Sequence, residues 1–250
     1  MFDLLLASDR LRQHAAEGRI AFGINHVMVD HRNGRRKALD LVVCRPSVET
    51  PPSSQRRNRA VTFASQVETF GIELTAEERS LLDALPALHR KPVGTVLIAL
   101  EAKAVMTEFA KARPRLYDEL ESSHTVVHGD TDSAIAMGLA LINASDYFIS
   151  PTKNPCVAWG APQKPTRHDQ PTQAKLTIEK IRALPRSEGV GSRGFDAIAT
   201  AVLSCRNDGS SQVAILRDAA WGFPAGNDVL SYATLINRVV GIYGNRFSNA

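Results

Sequence analysis

Cysteine is scarce in this chain of 250 residues: Cys44, Cys156 and Cys205 are odd in number and far apart. None belongs to a Cys-x-x-Cys pair, so neither a disulfide framework nor a cysteine-based zinc knuckle is indicated, and the usage points inside the cell. Long apolar runs are also missing, and nothing approaches the ~20 residues of a membrane span. The start, Met1-Phe2-Asp3-Leu4-Leu5-Leu6, holds too short an apolar run for a secretory signal and carries acid where such signals are basic. The expectation is a cytoplasmic protein with no membrane partner. Charge of neither sign dominates, because 30 basic against 26 acidic side chains leave a formal +4. Affinity for a polyanion must then come from local patches. There is no internal repeat, and the glycine-rich stretch Ser187 to Gly194 lacks the Gly-Lys-Ser/Thr ending and preceding strand of a phosphate-binding P-loop.

An ordinary globular composition is what remains, 44% hydrophobic and 22% charged. The most informative residues are Val96-Leu97-Ile98-Ala99-Leu100-Glu101-Ala102-Lys103, an apolar run ending in two opposite charges one position apart. In a strand, Glu101 and Lys103 share a face at the end of a buried segment. Charge brought this close to a core must pair or hold something, and a metal-bound phosphate is what such a pair can hold. A hard divalent cation takes oxygen ligands, so a second acid is needed. Asp40 is the leading candidate, lying in Lys37-Ala38-Leu39-Asp40-Leu41-Val42-Val43-Cys44, rich in strand-favouring branched residues. Asn33-Gly34 before it predicts a two-residue hairpin turn with a partner strand over Ile20 to Asp30.

Asp40 with Glu101-Ala102-Lys103 resembles the PD-(D/E)xK signature of the restriction-endonuclease-like nucleases. The element order is similar too: a helix over Phe2 to Glu17, strands Ile20 to Asp30, Arg36 to Arg45 and Gly94 to Lys103, a helix from Val105 to about Glu121, and a strand near Ala134 to Asn143. Leu39 stands where that family has its proline, and the stretch between Asp40 and Glu101 is longer than usual there. The resemblance implies an α/β fold with a three-layer α/β/α core around a mixed sheet. The chain is then one domain over 1–250, with an insertion at about 46–92 and a C-terminal extension at about 151–250. It implies magnesium, replaceable by manganese, held by Asp40 and Glu101, with Lys103 orienting or helping to deprotonate the attacking water. The implied activity is hydrolysis of DNA phosphodiester bonds to 5'-phosphate and 3'-hydroxyl ends, of a restriction or DNA-maintenance kind, by a homodimer. The alternatives are an inactive DNA-binding or assembly protein on the same fold, and an enzyme of another kind in which Glu101 and Lys103 form a plain ion pair.

Candidates for phosphate-backbone contact are Arg56 and Arg57 in the loop Pro51 to Arg59, and Arg113, Arg115, Ser123 and His124. Pro114 predicts a kink or division of its helix. Thr75-Ala76-Glu77-Glu78 reads as a capping box within one or two helices over Ser65 to Leu88. His124 and His128 lie four apart, which on a strand would set them on one face, but turn residues follow at once and no cysteines are grouped with them, so they have little claim to a metal site. Asp196 is an alternative acid lacking a partner triplet. Phe195 to Cys205 and Gln212 to Leu216 are expected to pair as a hairpin, with helices over Thr172 to Leu184 and Val229 to about Tyr243.

Overall fold

The computed structural model describes residues 1–47, 61–155, 162–217 and 219–248. Helices α1 (Phe2–Ala7) and α2 (Asp9–Ala16) lead into strands β1 (Ala21–Val29) and β2 (Arg36–Pro46). Helices α3 (Phe63–Thr69) and α4 (Ala76–Ala84) precede strand β3 (Val93–Val105), helix α5 (Phe109–Asp130) and strand β4 (Ile135–Asn143). A small pair, β5 (Tyr147–Phe148) and β6 (Thr166–Arg167), then helix α6 (Thr172–Arg182), strands β7 (Ala197–Ser204) and β8 (Ala214–Leu216) and helix α7 (Tyr232–Arg246) complete the chain.

The main sheet runs β1-β2-β3-β4-β7-β8. The β1-β2, β2-β3 and β7-β8 pairings are antiparallel, while β3-β4 and β4-β7 are parallel. Parallel neighbours need a crossover, and α5 and α6 supply them. One face of the sheet buries Phe109, Leu116 and Leu120 of α5 with Ile178 and Ile181 of α6 against Val42, Ala99, Ala140 and Ile198. The other buries Leu4, Leu11, Leu235, Val239 and Tyr243 of α1, α2 and α7 against Val43, Ile98, Ile135 and Ala199. Alternation along each strand divides its apolar residues between these two layers. The expected α/β class with a mixed central sheet is therefore present.

Four local expectations give way. The first helix divides at Ser8, which is extended and whose hydroxyl accepts from the Leu11 N–H at 3.1 Å as the cap of α2. The β1-β2 link is longer than a two-residue turn, because Asp30 N–H meets Arg35 O at 2.8 Å and residues 31–34 lie between them. Pro114 does not divide α5, which runs as one helix from Phe109 to Asp130. The missing N–H costs about 3 kcal/mol, but Pro114 and Ala110, whose carbonyl it would have served, are exposed to water. Each fully buried large side chain of the helix returns about 1.5–3 kcal/mol. Finally, α5 runs past the expected end near Glu121 to Asp130, so His124 and His128 lie on its last turns. In the insertion, both α3 and α4 form, and the Thr75–Glu78 capping box is present.

Candidate active site

Strands β2 and β3 are paired up to Leu41 opposite Leu100. One step further the same register would set Asp40 opposite Glu101, but the ladder stops. Asp40 Oδ2 instead accepts the Ala102 N–H at 2.7 Å. The face alternation of β2 breaks at the same point, since Leu39 packs with the α5 layer and Leu41 with the α7 layer. Across from it on β1, Asn25 holds a left-handed backbone, φ 53, a conformation that asparagine tolerates better than branched residues. The splitting of the two strands therefore brings the Asp40 carboxylate against the peptide that joins Glu101 to Ala102.

Glu101 points toward α5 from the same strand face as Ala99 and Val105 and is only 1% exposed. A carboxylate at that depth needs compensation. Two ammonium groups provide it: Lys103 Nζ lies 2.5 Å and Lys37 Nζ 3.4 Å from the same oxygen, Oε1. The other oxygen, Oε2, is buried without a hydrogen-bond partner. Lys37 also donates to the main-chain oxygen of Glu119 at 2.9 Å. The Glu119 carboxylate lies 3.8 Å from Lys103 and accepts from Arg115 Nε at 2.6 Å. That hydrogen bond holds the Glu119 carboxyl below its usual range. Burial opposes the charged form of Lys103, but the hydrogen bond to Glu101 and the charges of Glu101, Asp40 and Glu119 outweigh it and raise its pKa. Lys103 is thus held as an ammonium.

Beside Lys103 an open groove of about 580 Å³ runs along the N-terminal half of α5, lined by Thr107, Lys111, Arg115 and Glu119 among others. Glu108, at its edge, starts the helix with a left-handed backbone, φ 53. Arg115 faces this groove, whereas Arg113 donates to Gln173 Oε1 at 2.6 Å on α6. Arg56 and Arg57 lie outside the described residues, as does Cys156.

Ser123 and His124 are buried and do not face solvent as backbone-contact residues would. They are 1% and 2% exposed, and neither can meet a phosphate backbone. Ser123 Oγ donates back to Glu119 O at 2.7 Å. His124 stands edge-on to Phe195 with ring centroids 5.1 Å apart. Its Nδ1 accepts from the Gly194 N–H at 3.2 Å. Burial, together with His128 and Arg193, pushes its pKa down to about 4, so it is neutral at pH 7. His128 Nε2 lies 2.9 Å from Gly194 O and 3.6 Å from Asp196. Asp196 is itself buried, accepting from the Ala136 N–H at 2.8 Å and pairing with Arg246 at 3.1 Å. These groups tie α5, the approach to β7 and α7 together, and Asp196, already held by the Ala136 N–H and Arg246, is no substitute for Asp40.

Lys37 and Glu119 are the site residues that sequence reading missed. Lys37 sits at the start of a strand in the basic run Arg35-Arg36-Lys37, which looks like a solvated edge. Glu119 had a signal, the i,i+4 spacing from Arg115 on a helix following the triplet, but which turn of the crossover helix passes over Lys103 is a tertiary matter.

Among the described residues no group of three or more His, Cys, Asp and Glu side chains is arranged to hold a metal ion. Magnesium is commonly bound through one or two carboxylates, keeping its remaining positions for water and substrate phosphate. Asp40 with Glu101, whose buried Oε2 lacks a partner, is compatible with that mode. No helix among the described residues is long and apolar enough to cross a membrane. No protein-family model, curated protein or solved structure matches this chain.

Proposed function

We propose that this protein is a divalent-metal-dependent endodeoxyribonuclease on a restriction-endonuclease-like fold, of the restriction or DNA-maintenance kind. The observation that carries this reading is the Asp40 carboxylate seated on the Ala102 N–H, beside a buried Glu101 whose second oxygen has no partner. Asp40 and Glu101 would hold magnesium or manganese. The bound ion would supply a lowered water pKa and neutralise charge gathering on the phosphate. Lys103, kept protonated by Glu101, is a poor base, so its contribution is to orient the attacking water and to balance negative charge on the phosphoryl group. Lys111 and Arg115 offer the adjoining groove to the backbone of the substrate strand. Cutting both strands of a duplex needs two such sites, and a homodimer is the simplest way to provide them.

The test is incubation of the full chain with plasmid and genomic DNA and manganese, followed by mapping of the ends. Cleavage to 5'-phosphate and 3'-hydroxyl ends, abolished in Lys103→Ala with the circular dichroism unchanged, supports the reading. Absence of cleavage with manganese and magnesium alike overturns it.

A second reading has its own support. Glu101 is already neutralised by two ammonium groups, as in a structural ion-pair network, and this favours an inactive DNA-binding or assembly protein. Calorimetry separates the two, because that protein binds DNA but takes up no manganese in a manner dependent on Asp40 and Glu101.

A further inference from the structure

Resting on the metal-dependent reading, the geometry points to Lys37 as a further positioning residue of the site: it keeps Glu101 neutralised and makes uptake of the cation depend on a polynucleotide bound beside it. The site is electrically balanced without any ion. Asp40, Glu101 and Glu119 face Lys37, Lys103 and Arg115, joined by contacts of 3.4 Å, 2.5 Å, 3.8 Å and 2.6 Å around Glu101 and Glu119. A divalent ion arriving alone adds two positive charges next to two ammonium groups already on the acid it must use. The repulsion is large at such separations in a partly buried site. A phosphodiester brings negative charge and removes part of that penalty, so ion and nucleic acid favour each other's binding.

The two lysines are not equivalent in this exchange. Lys103 lines the open groove together with Glu119, 3.8 Å from its Nζ, so it can turn to a phosphate. Lys37 is outside the groove lining, has a side chain only 17% exposed and is anchored on the Glu119 carbonyl at 2.9 Å. Lys37 therefore stays while Lys103 moves. It is the resident counter-charge of Glu101, and it lowers affinity for a cation that comes without substrate.

Calorimetric titration of manganese into the full chain, with and without a phosphorothioate duplex that resists cleavage, tests this. In the wild type the duplex tightens manganese binding about tenfold or more. In Lys37→Gln, which retains a donor for the Glu119 carbonyl, manganese binds about tenfold more tightly without DNA, and the effect of the duplex shrinks to roughly threefold. Lys37→Arg behaves as the wild type, and Lys37→Met serves as a second neutral variant should Lys37→Gln lose its circular dichroism. Unchanged or weaker manganese binding in the folded neutral variants overturns the role of Lys37 and leaves the nuclease reading standing. Manganese binding that is absent, or indifferent to Asp40→Asn and Glu101→Gln, overturns both.

Discussion

Asp40 and Ala102 are joined across the point where β2 leaves β3, the carboxylate accepting the amide N–H at 2.7 Å. A side chain here takes over a backbone donor that the strand ladder has released. This contact sets the Asp40 carboxylate beside Glu101. Asp40→Ala would leave the amide without its partner, whereas Asp40→Asn still offers an oxygen and removes only the charge.

Asp40→Asn, Glu101→Gln and Lys103→Ala should each reduce manganese-dependent plasmid cleavage by about 100-fold or more, the scale of a lost charged group at a reacting centre. Cleavage at near wild-type rates in any of the three would remove that residue from the chemistry. Supercoil relaxation followed by gel densitometry reads the effect.

Glu101→Leu should lower folding stability by about 2 kcal/mol, less than the ~3–5 kcal/mol of a fully buried broken pair, because Lys37 and Lys103 remain partly accessible to water. Pairing it with Lys37→Met should recover part of the loss, since one of the two stranded ammonium groups is gone. Urea denaturation at neutral pH measures both.

Gly129 closes the hairpin that carries Asp40 onto the end of α5. Its carbonyl accepts from the His31 N–H at 3.1 Å, and a Cβ on it would lie 2.3 Å from Asp30 Cγ. Gly129→Ala must push the buried Asp30 out of place, at a cost of about 1–3 kcal/mol. A thermal scan against the wild type should show the drop, with Gly244→Ala, inside α7 and with nothing within 4 Å of the added carbon, as the control, which should instead gain about 0.5–1 kcal/mol of helix propensity.

His124 titrates at about 4 when folded and near its ordinary value of about 6.5 when unfolded. Between those limits the unfolded chain binds more protons, so stability falls as pH drops from about 6.5 to about 4 and is fully present above that window. The shift corresponds to a loss on the order of 3 kcal/mol. In His124→Gln the urea midpoint should depend less steeply on pH across this window than in the wild type. An equal slope in both would show that other groups account for the acid sensitivity.

Lys111 and Arg115 line the groove beside Lys103. If a DNA backbone lies there, Lys111→Gln and Arg115→Gln should each lower the slope of log affinity against log salt by about 0.9 for a duplex. Fluorescence anisotropy between about 50 and 200 mM salt is the measurement. Ser123→Ala, which alters a buried group, should leave the slope unchanged.

Periodicity and local chemistry were enough to read several elements from the residues alone. Five apolar residues before Glu101 marked the end of a buried strand, the acid-bearing segment at Asp40 marked its neighbour, and the segments read as a closing hairpin pair as β7 and β8. Such signals depend on residues a few positions apart, which the strand and helix periods bring to one face. The remainder came from packing between segments distant in the chain. That packing set Asp40 on the Ala102 amide across a sequence separation of 62 positions, a closure that no local pattern reports. It carried α5 unbroken past Pro114, because burial along the rest of the helix outweighs one lost hydrogen bond. It turned Ser123 and His124 inward, since the face of a crossover helix that meets the sheet depends on how the strands twist beneath it. It also brought Lys37 and Glu119 to Glu101, as a buried carboxylate takes whatever cations the packing sets within reach.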